Sequence, residues 1–310
     1  MRETTQDYTN DLTSIYGQKE KMIQYADLHC DTLTVGRYLQ GEEKEKNFWE
    51  REGRQISLQK LIKGGCAAQV FALFSRSIEE SAWEDTLYFL NEFKRGKEVF
   101  TQARITPVFA IEDGGSVEND LERVKFLIDE GAKIFGITWN DENCLGFPCG
   151  REGGLKPFGK QAVEYLLFRG VYPDLSHLSD QGIGDTLSIA ENVRFPVVAT
   201  HSLSREICPH KRNLTDEQIR RIADLGGVIG VNFEPSFIGG KGLFAHIEHI
   251  LRIGGEDVLA IGTDFDGIES PVYSSADQMQ AFFADMKKAG FSARITEKLA
   301  YQNACRLLDF

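Results

Sequence analysis

His29 and Asp31 stand two residues apart in the segment DLHCDTL. Further along come His177 in DLSHLSD, His201 in ATHSLSR, and Asp264 and Asp266 in IGTDFDG. Each closes a short apolar run of β type. Imidazole nitrogens and carboxylate oxygens are ligands suited to borderline divalent metals such as zinc. A single His-x-Asp pair says little, because a buried histidine beside a surface acid is common. Repetition at matching places says more. Glu112 ends a third run, His177 a fifth, His201 a sixth and Asp264 an eighth. A metal-dependent hydrolase is the chemistry this set suggests.

Six ligand-type residues exceed what one tetrahedral zinc requires. Two ions about 3.5–4 Å apart with a bridging carboxylate use them more naturally, activating a water and polarising the carbonyl it attacks. A nearby carboxylate then shuttles a proton to the leaving group. Asp264 is the candidate, since Gly262 and Gly267 beside it allow close backbone approach. Asp266 is expected to cap the next element instead. Cys30 lies between two candidate ligands, but strand alternation turns it to the opposite face, into the core.

The fold that brings many strand ends to one point is the parallel β/α barrel. Eight apolar runs are legible: 25–31, 66–74, 105–113, 132–140, 171–177, 196–202, 228–234 and 258–266. They are nearly continuous rather than alternating, as strands buried on both faces require. Helical patterns fill most gaps, at 84–100, 117–131, 160–170, 215–227 and 244–255. The expected architecture is therefore a (β/α)8 TIM barrel, for which 310 residues suffice. Residues 1–24 read as an N-terminal extension packing on the barrel, and 25–310 as one barrel domain. Two looser stretches, 34–60 and 141–159, follow the first and fourth strands, where barrel enzymes build active-site walls.

The net charge is -12, with no Lys/Arg-rich run, which argues against nucleic acid as a partner. No apolar leader opens the chain, and no run is long enough to span a membrane. The six cysteines form no CxxC pair. Reduced thiols in a cytoplasmic protein are the expectation. His246 and His249, on a helix away from the strand ends, are expected to be structural. The chain lacks GxSxG, P-loop, GxGxxG and HExxH motifs.

HCD at 29–31, IEDGG at 111–115, DLSH at 174–177, THS at 200–202, HKRN at 210–213 and GTDFDG at 262–267 together resemble the membrane dipeptidase (renal dipeptidase) family, peptidase family M19. The motifs occur in the family's order over nearly the whole chain. The resemblance implies a binuclear zinc centre, though another divalent metal is compatible. His29 and Asp31 would hold one zinc, His177 and His201 the other, and Glu112 would bridge them. Asp264 would carry the proton, and Arg212 would bind the free carboxylate of a small dipeptide substrate. A C-terminal D-residue is often accepted in the family. Three departures stand out. Thr138-Trp139-Asn140 replaces a frequent Thr-His, Glu234 replaces a frequent Tyr, and Tyr301-Gln302-Asn303 replaces Gly-Gly-Asn. Trp139 and Asn140 are thus expected in the substrate pocket. The competing readings are another amidohydrolase-type barrel, against which His-x-Asp and Glu112 argue, and a non-catalytic zinc-bound scaffold. A homo-oligomer is compatible with all of them.

Overall fold

The computed structural model of the protein describes residues 22–39, 44 and 46–309. Eight strands form a closed parallel barrel in chain order: β1 Tyr25–Asp27, β2 Cys66–Phe74, β3 Thr106–Glu112, β4 Ile134–Gly136, β5 Tyr172–Asp174, β6 Val198–Ser202, β7 Val228–Val231 and β8 Leu259–Ile261. Every expected apolar run supplies one strand. Several strands are shorter than the runs, because the chain turns toward the site before the apolar residues end.

Alternation along the strands separates two cores. In β2, Phe71 and Leu73 face outward, into a cluster that includes Phe93 and Phe100. Ala68 and Val70 face inward and join Ala110, Ile134, Val198, Val228 and Ala260. Ala304, Leu307 and Leu308, from the end of the chain, pack on that inner cluster at the N-terminal end of the strands.

The surrounding helices are α1 Thr32–Tyr38, α2 Leu58–Gly64, α3 Ala82–Gln102, α4 Leu121–Asp129, α5 Pro157–Phe168, α6 Asp180–Val193, α7 Asp216–Asp224, α8 Leu243–Gly254 and α9 Met279–Lys288. α10 Ala293–Glu297 and α11 Asn303–Leu308 follow, separated by a π turn at Lys298–Gln302. In α3 the buried Phe89, Phe93, Gly96 and Phe100 recur every three or four residues, forming one apolar stripe. Each buried phenylalanine there contributes about 1.5–3 kcal/mol. α7 starts at a capping box, in which Thr215 Oγ1 accepts the Gln218 amide and Gln218 Oε1 accepts the Thr215 amide.

Helix α6 lies in a gap where no helical pattern was expected. Gly182 and Gly184 dilute its signal, but Ser179 Oγ accepts the Gly182 N–H at 3.0 Å and Ile183, Leu187 and Ala190 are buried. The expected N-terminal extension, 1–24, lies outside the described residues except at its last three. There the Ile23 backbone N–H donates to Gln280 Oε1, and its carbonyl accepts from Gln280 Nε2.

Candidate active site and metal centre

His29, Asp31, Glu112, His177, His201 and Asp264 meet at the C-terminal end of the barrel. All six are buried, none more than 8% exposed. Glu112 and His201 lie within strands β3 and β6. The others lie just past strand ends, so the expectation that His29 and Asp31 share the face of one strand needs correction. β1 stops at Asp27, and Asp31 immediately precedes α1. What holds them in place is continued pairing with the β8 exit. Asp264 N donates to His29 O at 3.2 Å, and Asp31 N donates to Phe265 O at 2.9 Å.

Two triads emerge. Glu112, His177 and His201 bring ligand atoms within 4.8 Å of one another, and so do His29, Asp31 and Asp264. Glu112 joins the two. Its Oε2 lies 3.3 Å from His29 Nε2 and its Oε1 lies 3.2 Å from His177 Nε2. A third grouping, His29, Asp174 and His201, meets the same distance limit. Asp174 is already committed, however, accepting hydrogen bonds from Ser176 N, Thr200 N and Thr200 Oγ1.

The donor set fits divalent cations. Among the described residues, both ring nitrogens of His29, Nε2 of His201 and Oδ1 of Asp31 are buried without a hydrogen-bond partner. Such atoms are costly unless something charged or polar meets them. Gly267 keeps the space open, since a Cβ there would come within 2.1 Å of Asp31 Oδ2 and 2.6 Å of Asp264 Oδ1. Backbone strain clusters here too. His177, Asp264 and Asp266 all have φ between 64° and 67°, an uncommon left-handed conformation for residues other than glycine.

Electrostatics point the same way. Burial pushes Glu112 up to about 8, and Asp31 reinforces it. Burial likewise lifts Asp264 to about 7, with His29 opposing and Asp31 adding. For His29, burial disfavours the charged ring, but Glu112 and Asp31 outweigh it and raise its pKa well above normal. His177 and His201 are held well below normal, chiefly by burial and then by Arg212 and His29. Acids that cling to protons and imidazoles kept neutral are groups a divalent cation would bind, displacing the protons.

The supporting residues are specific. Asn140 Oδ1 lies 3.1 Å from His177 Nδ1, which directs the Nε2 lone pair inward. Asn232 Nδ2 donates to Asp264 Oδ2 at 3.0 Å. Asp266 does not cap the next element. It accepts from Thr32 Oγ1 and Gln55 N, tying the β8 exit to the 34–60 stretch. Asp27, Asp174, Thr200 and Asn232 were not singled out in the sequence. The only signal was an acid two or three residues before each of His29 and His177, in otherwise apolar runs.

A cavity of about 350 Å³ opens over the triads. Phe74, Trp139, Val35 and Ile268 form apolar walls, and Arg212, Glu234 and Ser236 supply polar ones. Trp139 and Asn140 both line this cavity. Trp139 packs against Phe74 with ring centroids 4.8 Å apart. Among the described residues of the 34–60 stretch, Thr34 and Val35 line this cavity, and none from 141–159 does. The latter buttresses His177 instead, with Cys149 N donating to the His177 carbonyl.

Arg212 is no surface charge. It is 6% exposed, its Nε and Nη2 are buried without a partner among the described residues, and its guanidinium carbon lies 5.4 Å from the Phe237 ring centre. Burial lowers its pKa. His246 and His249 are structural, as expected: His246 bonds Ser204 N and Ile238 O, and His249 bonds Asp216. Cys30 is a buried core thiol, and none of the six cysteines forms a disulfide among the described residues. Asn303 donates to Leu259 O at the start of β8, so the Tyr301–Asn303 departure lies away from the site. A second cleft of about 640 Å³ opens at the opposite end of the barrel and contains none of these residues. Among the described residues, no helix is long and apolar enough to cross a membrane.

The chain matches the family described as membrane dipeptidase (peptidase family M19) over residues 80–309. A Klebsiella pneumoniae protein, described as an uncharacterized protein in the pqqA 5' region, is 30% identical over 217 residues, covering 64% of this chain and 79% of that one. Among solved structures, the M19 metallopeptidase dipeptidase AC superposes with a TM-score of 0.83 at 24% identity, over 93% of this chain and 98% of that one. A Rhodobacter sphaeroides metallopeptidase, solved with a phosphinate mimic of L-Ala-D-Ala, gives 0.82 at 22% identity, over 93% and 99%. The probable dipeptidase PvdM of Pseudomonas aeruginosa gives 0.79 at 17%, over 96% and 97%. These likenesses establish the (β/α)8 barrel as a shared fold. With the family match over most of its length, the chain belongs to the membrane dipeptidase family, peptidase family M19, and is a metallo-dipeptidase.

Proposed function

We propose that the protein hydrolyses small dipeptides at a centre of two divalent ions, with zinc the natural choice for this donor set. The observation that carries the reading is Glu112, whose two carboxylate oxygens face His29 and His177 respectively. His29 and Asp31 would hold one ion and His177 and His201 the other, with Glu112 placed to serve both. When bound, the ions lower the pKa of water and polarise the scissile carbonyl.

The protein's own groups do the rest. Arg212 offers a guanidinium fork to the substrate's free C-terminal carboxylate, the planar two-point grip that a lysine cannot copy. Asp264, aimed by Asn232, takes a proton at one carboxylate oxygen and delivers it to the departing amine. Trp139 and Phe74 exclude water and give the side chains an apolar wall. The cavity volume suits a dipeptide better than a longer peptide. The Rhodobacter sphaeroides relative was solved with an L-Ala-D-Ala mimic, which supports a C-terminal D-residue as a substrate here.

The test is hydrolysis of L-Ala-L-Ala, L-Ala-D-Ala and their C-terminal amides by metal-stripped and zinc-reloaded protein. Zinc-dependent turnover of the free dipeptides is expected. Turnover only of lactones, cyclic amides or phosphoesters would move the protein to another amidohydrolase-type reaction. Stoichiometric zinc with no turnover of any substrate would leave a binding scaffold.

A further inference from the structure

The same device stitches two pairs of strand exits. Asp27, the last residue of β1, accepts Thr263 N at 2.9 Å and His29 N at 3.3 Å on Oδ1, and Thr263 Oγ1 at 2.6 Å on Oδ2. Asp174, the last residue of β5, accepts Thr200 N and Ser176 N at 2.9 Å on Oδ1, and Thr200 Oγ1 at 2.5 Å on Oδ2. In each case a buried strand-end acid grips both the amide and the hydroxyl of a threonine on a neighbouring strand or just past its end. It also grips its own chain two residues on. One clamp joins β1 to the β8 exit, which carry His29, Asp31 and Asp264. The other joins β5 to β6, which lead to His177 and His201.

The two clamps differ in one respect. Thr200 Oγ1 also lies 2.8 Å from His201 Nδ1. A hydroxyl has one hydrogen, and the Thr200 hydrogen goes to Asp174. Thr200 must therefore accept a hydrogen bond from Nδ1–H of His201. That fixes the imidazole tautomer and turns a bare Nε2 toward Glu112 and His177. The Asp27 clamp reaches no ring: Thr263 Oγ1 accepts Phe265 N instead, and His29 Nδ1 has no hydrogen-bond partner among the described residues. Tight packing maintains the Thr200 position, since a Cβ at Gly230 or Gly262 would come within 1.9 Å or 1.8 Å of its carbonyl oxygen.

We propose that Asp174 and Thr200 are positioning residues that preset His201 for metal, making the His177–His201 site the tighter of the two. The proposal rests on the two-metal reading above. Partners that orient a ligating histidine are typically worth 10–100-fold in metal affinity.

The test is stepwise titration of metal-stripped protein with cobalt(II), followed by its visible absorption and by competition with a chelator. Thr200→Val keeps the shape and removes the relay. It should weaken the tighter step about 10–100-fold. Thr200→Ser should restore it. Asp174→Asn can donate where Asp174 accepts, which reverses the Thr200 hydroxyl and places the wrong His201 tautomer before the metal. It should weaken that step at least as much, and it serves if Thr200→Val does not fold. Thr263→Val breaks the matching bond in the other clamp, so it should lower the melting temperature and leave the tighter step unchanged. Two wild-type steps with an unaltered tighter step in Thr200→Val or Asp174→Asn would overturn the proposal. Equal weakening by Thr263→Val would too, because it would reduce the relay to general stability. No cobalt binding by wild-type protein would instead refute the two-metal reading itself.

Discussion

Replacing Arg212 by methionine should move activity and stability in opposite directions. The side chain is buried, and two of its nitrogens lack partners among the described residues. In the free enzyme it is therefore a partly uncompensated buried charge, a costly state. A substrate carboxylate would supply two charge-assisted hydrogen bonds, each worth about 1.5–3 kcal/mol. Losing both should remove about 3–6 kcal/mol of transition-state binding, or roughly 100- to 20,000-fold in kcat/KM at about 1.4 kcal/mol per tenfold. Methionine fills similar space without the charge, so the melting temperature should rise by on the order of 2–4 °C for each kcal/mol relieved. The assay is kcat/KM for L-Ala-L-Ala and for its C-terminal amide, with thermal melts on the same preparations. The amide lacks the carboxylate, so its already low rate should change little. Equal loss on both substrates would refute the carboxylate role. A markedly lower melting temperature would refute the uncompensated-charge argument.

Asp264→Asn keeps the hydrogen bond to Asn232 possible but removes the proton carrier. It should cut kcat by about 100-fold or more, with KM moving much less and metal content unchanged. Near-normal kcat in fully metallated protein would route the proton elsewhere. Away from the site, Arg205 makes a two-point pair with Asp180 at 2.7 and 2.8 Å and lowers its pKa, against partial burial. A depressed carboxylate stabilises the fold above its unfolded pKa of about 3.9 and ceases to do so as pH falls through the folded value. Asp180→Asn should therefore lower stability at pH 7. Because the pair is largely solvated, the loss should be only about 0.5–1 kcal/mol. Thermal melts should show the gap closing below about pH 4; a gap that widens in acid would reverse the sign.

The barrel was legible because parallel strands buried on both faces leave apolar runs that no solvent-facing alternation interrupts. The candidate ligands were legible because His29, Glu112, His177, His201 and Asp264 close five of those runs. Their reason for meeting was only partly legible. Asp31 reaches the site through β8-exit pairing and the start of α1, not through a strand that persists. The clamp residues Asp27, Asp174, Thr200 and Thr263 left little signal for a plainer reason. A lone acid or threonine at the end of an apolar run has no chemistry until its partner strand is placed. Asp174 and Thr200 are 26 residues apart, and Asp27 and Thr263 are 236 apart. The 141–159 stretch has the composition of a pocket wall but serves as a brace behind His177. Helix α6 was hidden by two glycines that its cap and buried stripe outweigh.

The central claim is that Glu112 bridges two metal ions held by residues from opposite sides of the barrel mouth. Anomalous diffraction from crystals of zinc-loaded protein, with elemental analysis of the same sample, tests it most directly. The account predicts two zinc ions per chain, about 3.5–4 Å apart. One should lie beside His29 and Asp31, the other beside His177 and His201, with Glu112 between them. In Glu112→Gln the same measurement should show reduced occupancy at both positions. A single ion, ions remote from Glu112, or no more than trace zinc after loading would contradict the account.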